Sequence, residues 1–490
     1  MAKAHEIRTY TIGRPPQTTG LGGLSMKVTV LIGITFMISM IFIWTNQWKM
    51  AFITAAAGAV LIGLVNLQIA GRSVASHIQL AWQRFRRNSK GENLYVSGQD
   101  SRIPGGRFSL PGVLARQELI ASTDSTGHPY ALIVDRASNH VTVLLDLQLT
   151  GAVDRTGEER DQNTADWARF EAGLSLSGDV VSCVTVIANR PATGQLAKQE
   201  VRQQVKDDAP ALARQIMGEA ANMLSVGGGE LEAHMALTFK IDGAGKDDEF
   251  IRQVDYRIPN IYPQLTWAGI RAEPMDYEAV VARAHTFFNP ASETLFEQLR
   301  VEGRKHHLDW ENAGPTWALA DHKLYAHENC RSVSWEMTEA PASTFEDTVL
   351  TSLARHNIHV PRSRLTMIYE PVPASKGMRM VEREHKDALV GMNSSKSITK
   401  IGATVRAEET ESARRAVARG AQMGLRSLLF TATMAPEEDI NRVTSAVEQA
   451  GSQASIRLHQ MTGMHDAGFE ISAGLGVTPE MRATTAGLLR

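Results

Sequence analysis

Two apolar runs near the start of the chain dominate its hydrophobic pattern. Val28–Trp44 and Met50–Ala70 contain no charged side chain, and a short polar turn at 45–49 separates them. At 1.5 Å per residue, the first run spans about 25 Å as a helix. Because backbone polar groups in lipid must be paired within their own segment, the pattern predicts a transmembrane hairpin of two helices over residues 27–71.

Basic residues flank the predicted hairpin on both sides, whereas its turn carries only Lys49. By the positive-inside rule, we expect a multi-pass protein of the cell (inner) membrane with both termini in the cytoplasm. The residues predicted to anchor it at the lipid interface are Lys27, Trp44, Trp48, Arg72, Trp82, Arg84, Arg86, Arg87 and Lys90. Small residues recur at Ala55, Ala59 and Gly63, which predicts a helix-packing face on the second helix.

A cleaved signal peptide and a buried hairpin inside a soluble protein are two other interpretations of these runs. A signal peptide has one apolar segment and ends at a small-residue cleavage site, whereas here a second run follows at once. The flanking basic residues favour the membrane interpretation over a soluble core hairpin.

The hydrophobic pattern also divides the rest of the chain. Residues 1–26 are rich in Gly, Pro and Thr and predict a cytoplasmic arm, while 72–111 predict a basic, amphipathic juxtamembrane helix followed by a linker. From residue 112 onward, strand-like and helical runs follow the order β-α-β-α-β twice. Among them we predict a buried strand at Val180–Ala188, one long helix over 196–224 and a further strand at Phe469–Gly474. We therefore predict an α+β protein, with the transmembrane hairpin followed by two cytoplasmic mixed α/β domains, ferredoxin-like or split βαβ, over 112–290 and 291–490.

Charge and cysteine content refine this picture. The formal net charge is −2, yet residues 1–90 contain ten Lys and Arg against Glu6 alone, so the remaining 400 residues carry −11. Basic residues beside a bilayer are attracted to anionic head groups, and an acidic bulk argues against sequence-specific nucleic-acid binding. Cys183 and Cys330 stand alone, which suits a reducing compartment and gives no disulfide framework.

No stretch of the chain carries a convincing catalytic motif. Gly243–Lys246 resembles a phosphate loop, but it lacks the upstream glycine and has Asp247 where Ser or Thr would hold magnesium. The histidines near His306 and near His322 lack the paired spacing of zinc ligands. We therefore predict no catalytic residue, cofactor or metal, and a protein that is not an enzyme.

The C-terminal half resembles a known family in the order of its segments. Arg364-Leu-Thr-Met-Ile-Tyr-Glu-Pro-Val-Pro is followed by a helix, the strand Ser427–Met434, the helix Pro436–Ala450, then His465-Asp-Ala-Gly-Phe-Glu-Ile and Leu475-Gly476. This order resembles the region that precedes the motor domain in conjugative type IV secretion ATPases of the VirB/CagE/TraC class. The two apolar runs resemble the small two-span inner-membrane subunit that accompanies those ATPases. The whole is similar to an actinobacterial membrane protein of integrative conjugative elements that lacks the ATPase domain.

The resemblance implies a function and a set of partners. It implies a non-catalytic inner-membrane scaffold of a conjugative type IV secretion apparatus for DNA transfer, which docks a separate P-loop secretion ATPase to the channel. Expected partners are the lipid bilayer, that ATPase, other membrane channel subunits and further copies of the chain, with a hexamer as one candidate oligomer. An EccE-like component of a type VII secretion complex is the alternative, and a membrane-anchored transferase is a third possibility.

Overall fold

A computed structural model describes residues 26–69, 72–101, 109–149, 155–206, 208–224, 228–241, 247–339, 345–393 and 401–479. The predicted N-terminal arm, except Met26, lies outside the described residues, as does the Gly243–Lys246 loop. The described residues form two compact units. The first contains the described residues between 92 and 371 and residues 426–479, and the second contains 26–69, 72–91, 372–393 and 401–425.

Within these residues the chain forms fifteen α-helices and fifteen β-strands. The helices are α1 (Met26–Trp44), α2 (Trp48–Asn66), α3 (Val74–Lys90), α4 (Gly157–Ser177), α5 (Gln195–Gln204), α6 (Ala211–Leu224), α7 (Asp247–Arg257), α8 (Ile261–Trp267), α9 (Tyr277–Phe288), α10 (Glu293–Val301), α11 (Thr351–Ala354), α12 (Ala374–Asn393), α13 (Ile401–Ala418), α14 (Ile440–Gln453) and α15 (His465–Ser472). The strands are β1 (Gln68–Ile69), β2 (Arg72–Ser73), β3 (Leu94–Val96), β4 (Gln117–Thr123), β5 (Pro129–Asp135), β6 (His140–Gln148), β7 (Val180–Pro191), β8 (Gly229–Lys240), β9 (Arg271–Pro274), β10 (Trp317–Ala320), β11 (Tyr325–His327), β12 (Cys330–Glu339), β13 (Arg362–Pro371), β14 (Gly424–Met434) and β15 (Arg457–Gln460).

The predicted transmembrane hairpin is corrected by the structure. Among the described residues, no helix combines the length and the apolar character that crossing a membrane requires. Two helices do form, but Lys27 and Lys49 lie inside them, and α2 ends at Asn66 instead of continuing to Ala70. The uninterrupted apolar part of each is therefore about 17 residues, or about 25 Å, whereas a bilayer core is about 30 Å thick. The multi-pass membrane location, which was inferred from two such spans, is wrong as well.

The contact between α1 and α2 does not use the predicted small-residue face. Ala55, Ala59 and Gly63 are exposed, and a Cβ added to Gly63 would meet nothing within 4 Å. Gly58 makes the close approach, because a Cβ there would lie 2.1 Å from Cγ2 of Thr35 on α1. Packing of the predicted face against another helix stays a prediction.

Thirteen strands join in one sheet, while β1 and β2 form a separate two-stranded ribbon. The order along the sheet is β3-β10-β11-β12-β14-β13-β7-β8-β6-β5-β4, with β15 also paired to β12 and β9 also paired to β6. At its centre β7 and β13 are antiparallel, and Thr366 lies opposite Val186. The predicted second domain therefore continues the sheet of the first, and the predicted pair of ferredoxin-like domains is corrected to one predominantly antiparallel sheet.

The sheet contains the same strand arrangement twice. In the first half β6 lies between β8 and the pair β5 and β9, with β7 beyond β8. In the second half β12 lies between β14 and the pair β11 and β15, with β13 beyond β14. Two backbone hydrogen bonds correspond as well, because Ala192 N–H donates to Gly228 O and Val372 N–H donates to Met423 O, each at 2.9 Å. The repeated β-α-β-α-β order seen in the sequence is thus a structural repeat.

The two faces of the sheet differ in how they are covered. On one face each half has its own core: α4, α7 and α8 cover the first, and α11 and α14 cover the second. On the opposite face a single core spans both halves and contains Val186, Phe288, Ile368 and Phe469. The shared face therefore joins the halves through apolar burial as well as through the β7–β13 pairing.

Residues 473–478 cross this shared face after α15. Gly474 and Gly476 adopt positive φ angles of 63° and 85°, and a Cβ on Gly476 would lie 2.1 Å from Oγ1 of Thr142 on β6. The carbonyl of Leu475 accepts a hydrogen bond from Nε2 of Gln117 at 2.5 Å. Glycine is needed here because its backbone alone fits between the segment and the sheet.

Candidate functional site

A buried arginine lies at the centre of the shared face. Arg364 is on β13 opposite Ala188 of β7, beside the middle of the sheet. Its side chain is 5% exposed, and its guanidinium carbon lies 4.5 Å from the ring centre of Phe287 and 4.3 Å from that of Phe469. Nη2 donates to the Phe469 carbonyl and to Oγ of Ser472, both at 3.1 Å. The guanidinium is therefore held between α9, which carries Phe287, and the end of α15.

Arg364 has no carboxylate within ion-pair distance in the part of the chain that the structure describes. Burial lowers its pKa to about 9, against an ordinary value of 12.5. Burying a cation without a partner is costly, since the favourable hydration of its charge is lost. The cation–π contacts with the two Phe rings offset part of that cost.

Two buried histidines lie on the same face and are neutral at pH 7. Burial lowers the pKa of His234 to about 3, and the charges of Arg283 and Arg364 add to this effect. Burial also lowers the pKa of His327 to about 3, with a further contribution from Arg364. Nδ1 of His327 is 2.6 Å from the Phe288 carbonyl, which only accepts, so this nitrogen carries the proton.

Hydroxyl groups link these side chains across β12 and β14. Nε2 of His327 is then an acceptor, and it receives the hydroxyl proton of Ser332 at 2.8 Å. Further hydroxyl groups connect to Ser472, whose Oγ accepts a hydrogen bond from Arg364. The hydroxyl contacts are Ser332 to Thr433 at 2.8 Å, Ser334 to Thr431 at 3.0 Å and Thr431 to Ser472 at 2.8 Å. These hydroxyl groups thus satisfy one another's hydrogen bonds within the core.

An ion-pair network lies on the same face at the ends of β7 and β13. Arg190 binds Glu230 at 3.1 Å, Glu232 at 2.6 Å and Glu293 at 2.5 Å. Glu293, the first residue of α10, also binds Arg362 of β13. Burial disfavours the charge on Arg190, but Glu232 and Glu293 outweigh this and raise its pKa. Glu293 therefore connects an arginine of the first half to an arginine of the second.

Arg283 of α9 extends this network. It pairs with Asp146 at 3.0 Å and with Glu232 at 3.5 Å. Burial raises the pKa of Glu230, an effect that the charge of Arg190 only partly offsets.

The network borders a cavity of about 40 Å³. It is lined by Ala188, Asn189, Arg190, Glu232, Thr286, Phe287, Pro290, Glu293, Arg362, Ser363, Arg364 and Thr433. A second recess of about 350 Å³ lies between Phe345 and Ser455 and is open to solvent. The first cavity has room for a few water molecules, whereas pockets for drug-sized ligands measure about 300–1,000 Å³.

The histidines considered as metal ligands are separated by the fold. His306 binds the carbonyl and the carboxylate of Glu278, at 2.9 and 3.1 Å, and His327 is buried among backbone and hydroxyl groups. Within the described residues, no three His, Cys, Asp or Glu side chains come together as metal ligands would.

The predicted interface residues lie in the second unit, outside this site. Trp44 is 92% exposed and Trp48 is 58% exposed, and the Trp48 indole N–H donates to Oδ1 of Asn46 at 2.9 Å. Trp82, Arg84, Arg86, Arg87 and Lys90 lie on α3, where the Trp82 and Phe85 rings are 6.3 Å apart. The side chains of Lys27 and Arg72 lie outside the described residues. A role for any of these residues at a lipid interface stays a prediction.

Comparison with known proteins adds no identification. No protein-family model matches the chain, and no curated protein matches it significantly.

The sequence did not lead us to predict the buried site, although the spacing of two arginines in β13 pointed to it. Arg362 and Arg364 alternate in a strand whose other residues are mainly apolar or small, and this spacing places both on one face of the sheet.

Proposed function

We propose that this chain is a non-catalytic scaffold of a conjugative type IV secretion apparatus, on which a separate P-loop secretion ATPase docks. The observation that carries the proposal is the contact between two segments on which the family resemblance rests. Arg364 begins the first segment, and it is bound by Phe469 of the second, about one hundred residues later. The segments that resemble the pre-motor region therefore belong to one packed unit.

The chemistry of the buried site supports a scaffold. Several of its titratable groups have protein partners: Glu293 binds two arginines, and the rings of His234 and His327 each contact a backbone carbonyl. The adjoining cavity is smaller than the pockets that enclose substrates. Side chains fixed in this way stabilise a surface for other subunits, whereas general acid–base catalysis needs a titratable group within reach of a substrate.

Co-purification tests the proposal. The tagged full chain is expressed together with the proteins of its neighbouring reading frames, including any P-loop ATPase and multi-span protein among them, and complexes are isolated by affinity and size-exclusion chromatography. We expect the ATPase to elute with the chain in a constant ratio. A folded chain that binds neither neighbour, or that hydrolyses nucleotide alone, would contradict the proposal. Recovery of type VII secretion components instead would favour the EccE-like alternative.

A further inference from the structure

The cavity beside Arg364 is lined by one cation without a carboxylate partner among the described residues. Three arginines line it, Arg190, Arg362 and Arg364, together with two glutamates, Glu232 and Glu293. Each glutamate is already shared: Glu293 binds Arg190 and Arg362, and Glu232 binds Arg190 and Arg283. Arg190 also binds Glu230 at 3.1 Å, so Arg364 is the lining arginine that is left without a carboxylate.

The donors that lack a partner also point to an anion. Among the described residues, Nε of Arg190 and Nε of Arg364 are buried and make no hydrogen bond to protein. Arg364 is 5% exposed, and the nearby rings of His234 and His327 are neutral, so they neither repel an anion nor compensate the arginine's charge. Buried guanidinium groups are normally paired or hydrogen-bonded throughout, and a buried donor without a protein partner commonly binds water or an ion.

We propose that this cavity binds a small monovalent inorganic anion of halide size, with Arg364 as its cationic ligand. A volume of about 40 Å³ holds one such ion with one or two waters and excludes nucleotides and larger carboxylates. The bound anion supplies the missing negative charge where β7 meets β13. It stabilises the junction of the two halves of the sheet and takes no part in a reaction.

A halide titration of the full chain tests this site. Thermal unfolding is followed in sodium bromide and in sodium gluconate, whose anion is too large for the cavity, at one total ionic strength of about 0.3 M. We expect bromide to raise the unfolding temperature in proportion to the logarithm of its concentration once that exceeds its Kd, by about 2 °C for each tenfold increase. Equal unfolding temperatures in the two salts at every concentration would overturn the proposal.

Substitution assigns the effect to this cavity. Arg364→Met keeps a long unbranched side chain but removes the charge, and we expect it to abolish the bromide response. Arg426→Met is the matched control, since Arg426 also lies over an aromatic ring, Tyr369 at 5.4 Å, but is paired with Glu171. A bromide response that is retained in Arg364→Met, or lost equally in both variants, would contradict the assignment.

Anomalous diffraction from a bromide-soaked crystal of the unsubstituted protein decides the question if Arg364→Met does not fold. We expect a bromide peak within hydrogen-bond distance of the Arg364 guanidinium. Waters alone in the cavity at saturating bromide would overturn the proposal.

Discussion

Glu293 tests whether the ion-pair network holds the two halves of the sheet together. Its carboxylate binds Arg190 of β7 at 2.5 Å and also binds Arg362 of β13. The side chains of Glu293 and Arg190 are 7% and 8% exposed, so water compensates little for a lost partner. The perturbation is Glu293→Ala, which removes the carboxylate and leaves both arginines in place.

The expected loss follows from the partners that remain. Removing one member of a buried ion pair costs about 3–5 kcal/mol, because the other charge stays buried without compensation. Arg190 keeps Glu230 and Glu232, and Arg362 is 26% exposed and gains some hydration. We therefore expect the free energy of unfolding to fall by about 3 kcal/mol, at the lower end of that range.

Urea unfolding of the full chain measures this loss from the shift in midpoint at a constant slope. The matched control is Glu118→Ala, which breaks the exposed pair between Glu118 and Arg136, 2.9 Å apart, and is expected to cost less than about 1 kcal/mol. If Glu293→Ala costs no more than the control, the network does not stabilise the junction and the reasoning is wrong.

Three further predictions concern other parts of the first unit. Gly476→Ala should lower the free energy of unfolding by at least about 2 kcal/mol in urea unfolding, because the positive φ disfavours a side chain and the new Cβ would meet Thr142. Thr156→Ala should cost about 0.5–2 kcal/mol in the same assay, since its hydroxyl accepts the Glu159 N–H in the capping box of α4. Stability should fall as pH is lowered from 7 to about 5, by about 2 kcal/mol for each of His234 and His327, because the unfolded state takes up protons near pH 6.5 while the folded state does so only near pH 3. Urea unfolding at the two pH values measures this, and equal stabilities would contradict it.

A control for the glycine prediction lies in the turn between β4 and β5. Gly127 also has a positive φ of 90°, but an added Cβ there meets nothing within 4 Å, so Gly127→Ala should cost only about 1 kcal/mol. His327→Gln should reduce the pH dependence of unfolding, because it removes one of the two histidines that are neutral in the folded state.

Local patterns predicted most of the strands that build the sheet. The apolar run at Val180–Ala188 predicted β7, and Ser427–Met434 predicted β14, because buried strands combine branched side chains with turn formers at their ends. The helix predicted over 196–224 is two helices, since Pro210 and the residues before it interrupt the run. A strand predicted near Phe469 is α15, a short buried helix whose apolar residues give no clear period.

The joining of the halves was not predictable from one sequence. Pairing between β7 and β13 is a contact across about 180 residues, and no local pattern specifies which strand lies beside another. The site around Arg364 depends on that pairing, because Phe287 and Phe469 reach the guanidinium only once both halves are folded. The prediction of two membrane-spanning helices was wrong for a related reason. Hydropathy located the two apolar runs, but it did not predict that α2 ends at Asn66.

Native-state hydrogen exchange, read by mass spectrometry across β7, β8, β13 and β14, tests the central claim that the two halves form one scaffold around Arg364. The account predicts that amides in all four strands exchange only through one common opening, with equal free energies. The claim is contradicted if β13 and β14 exchange through a separate opening whose free energy is several kcal/mol lower, while β7 and β8 stay protected.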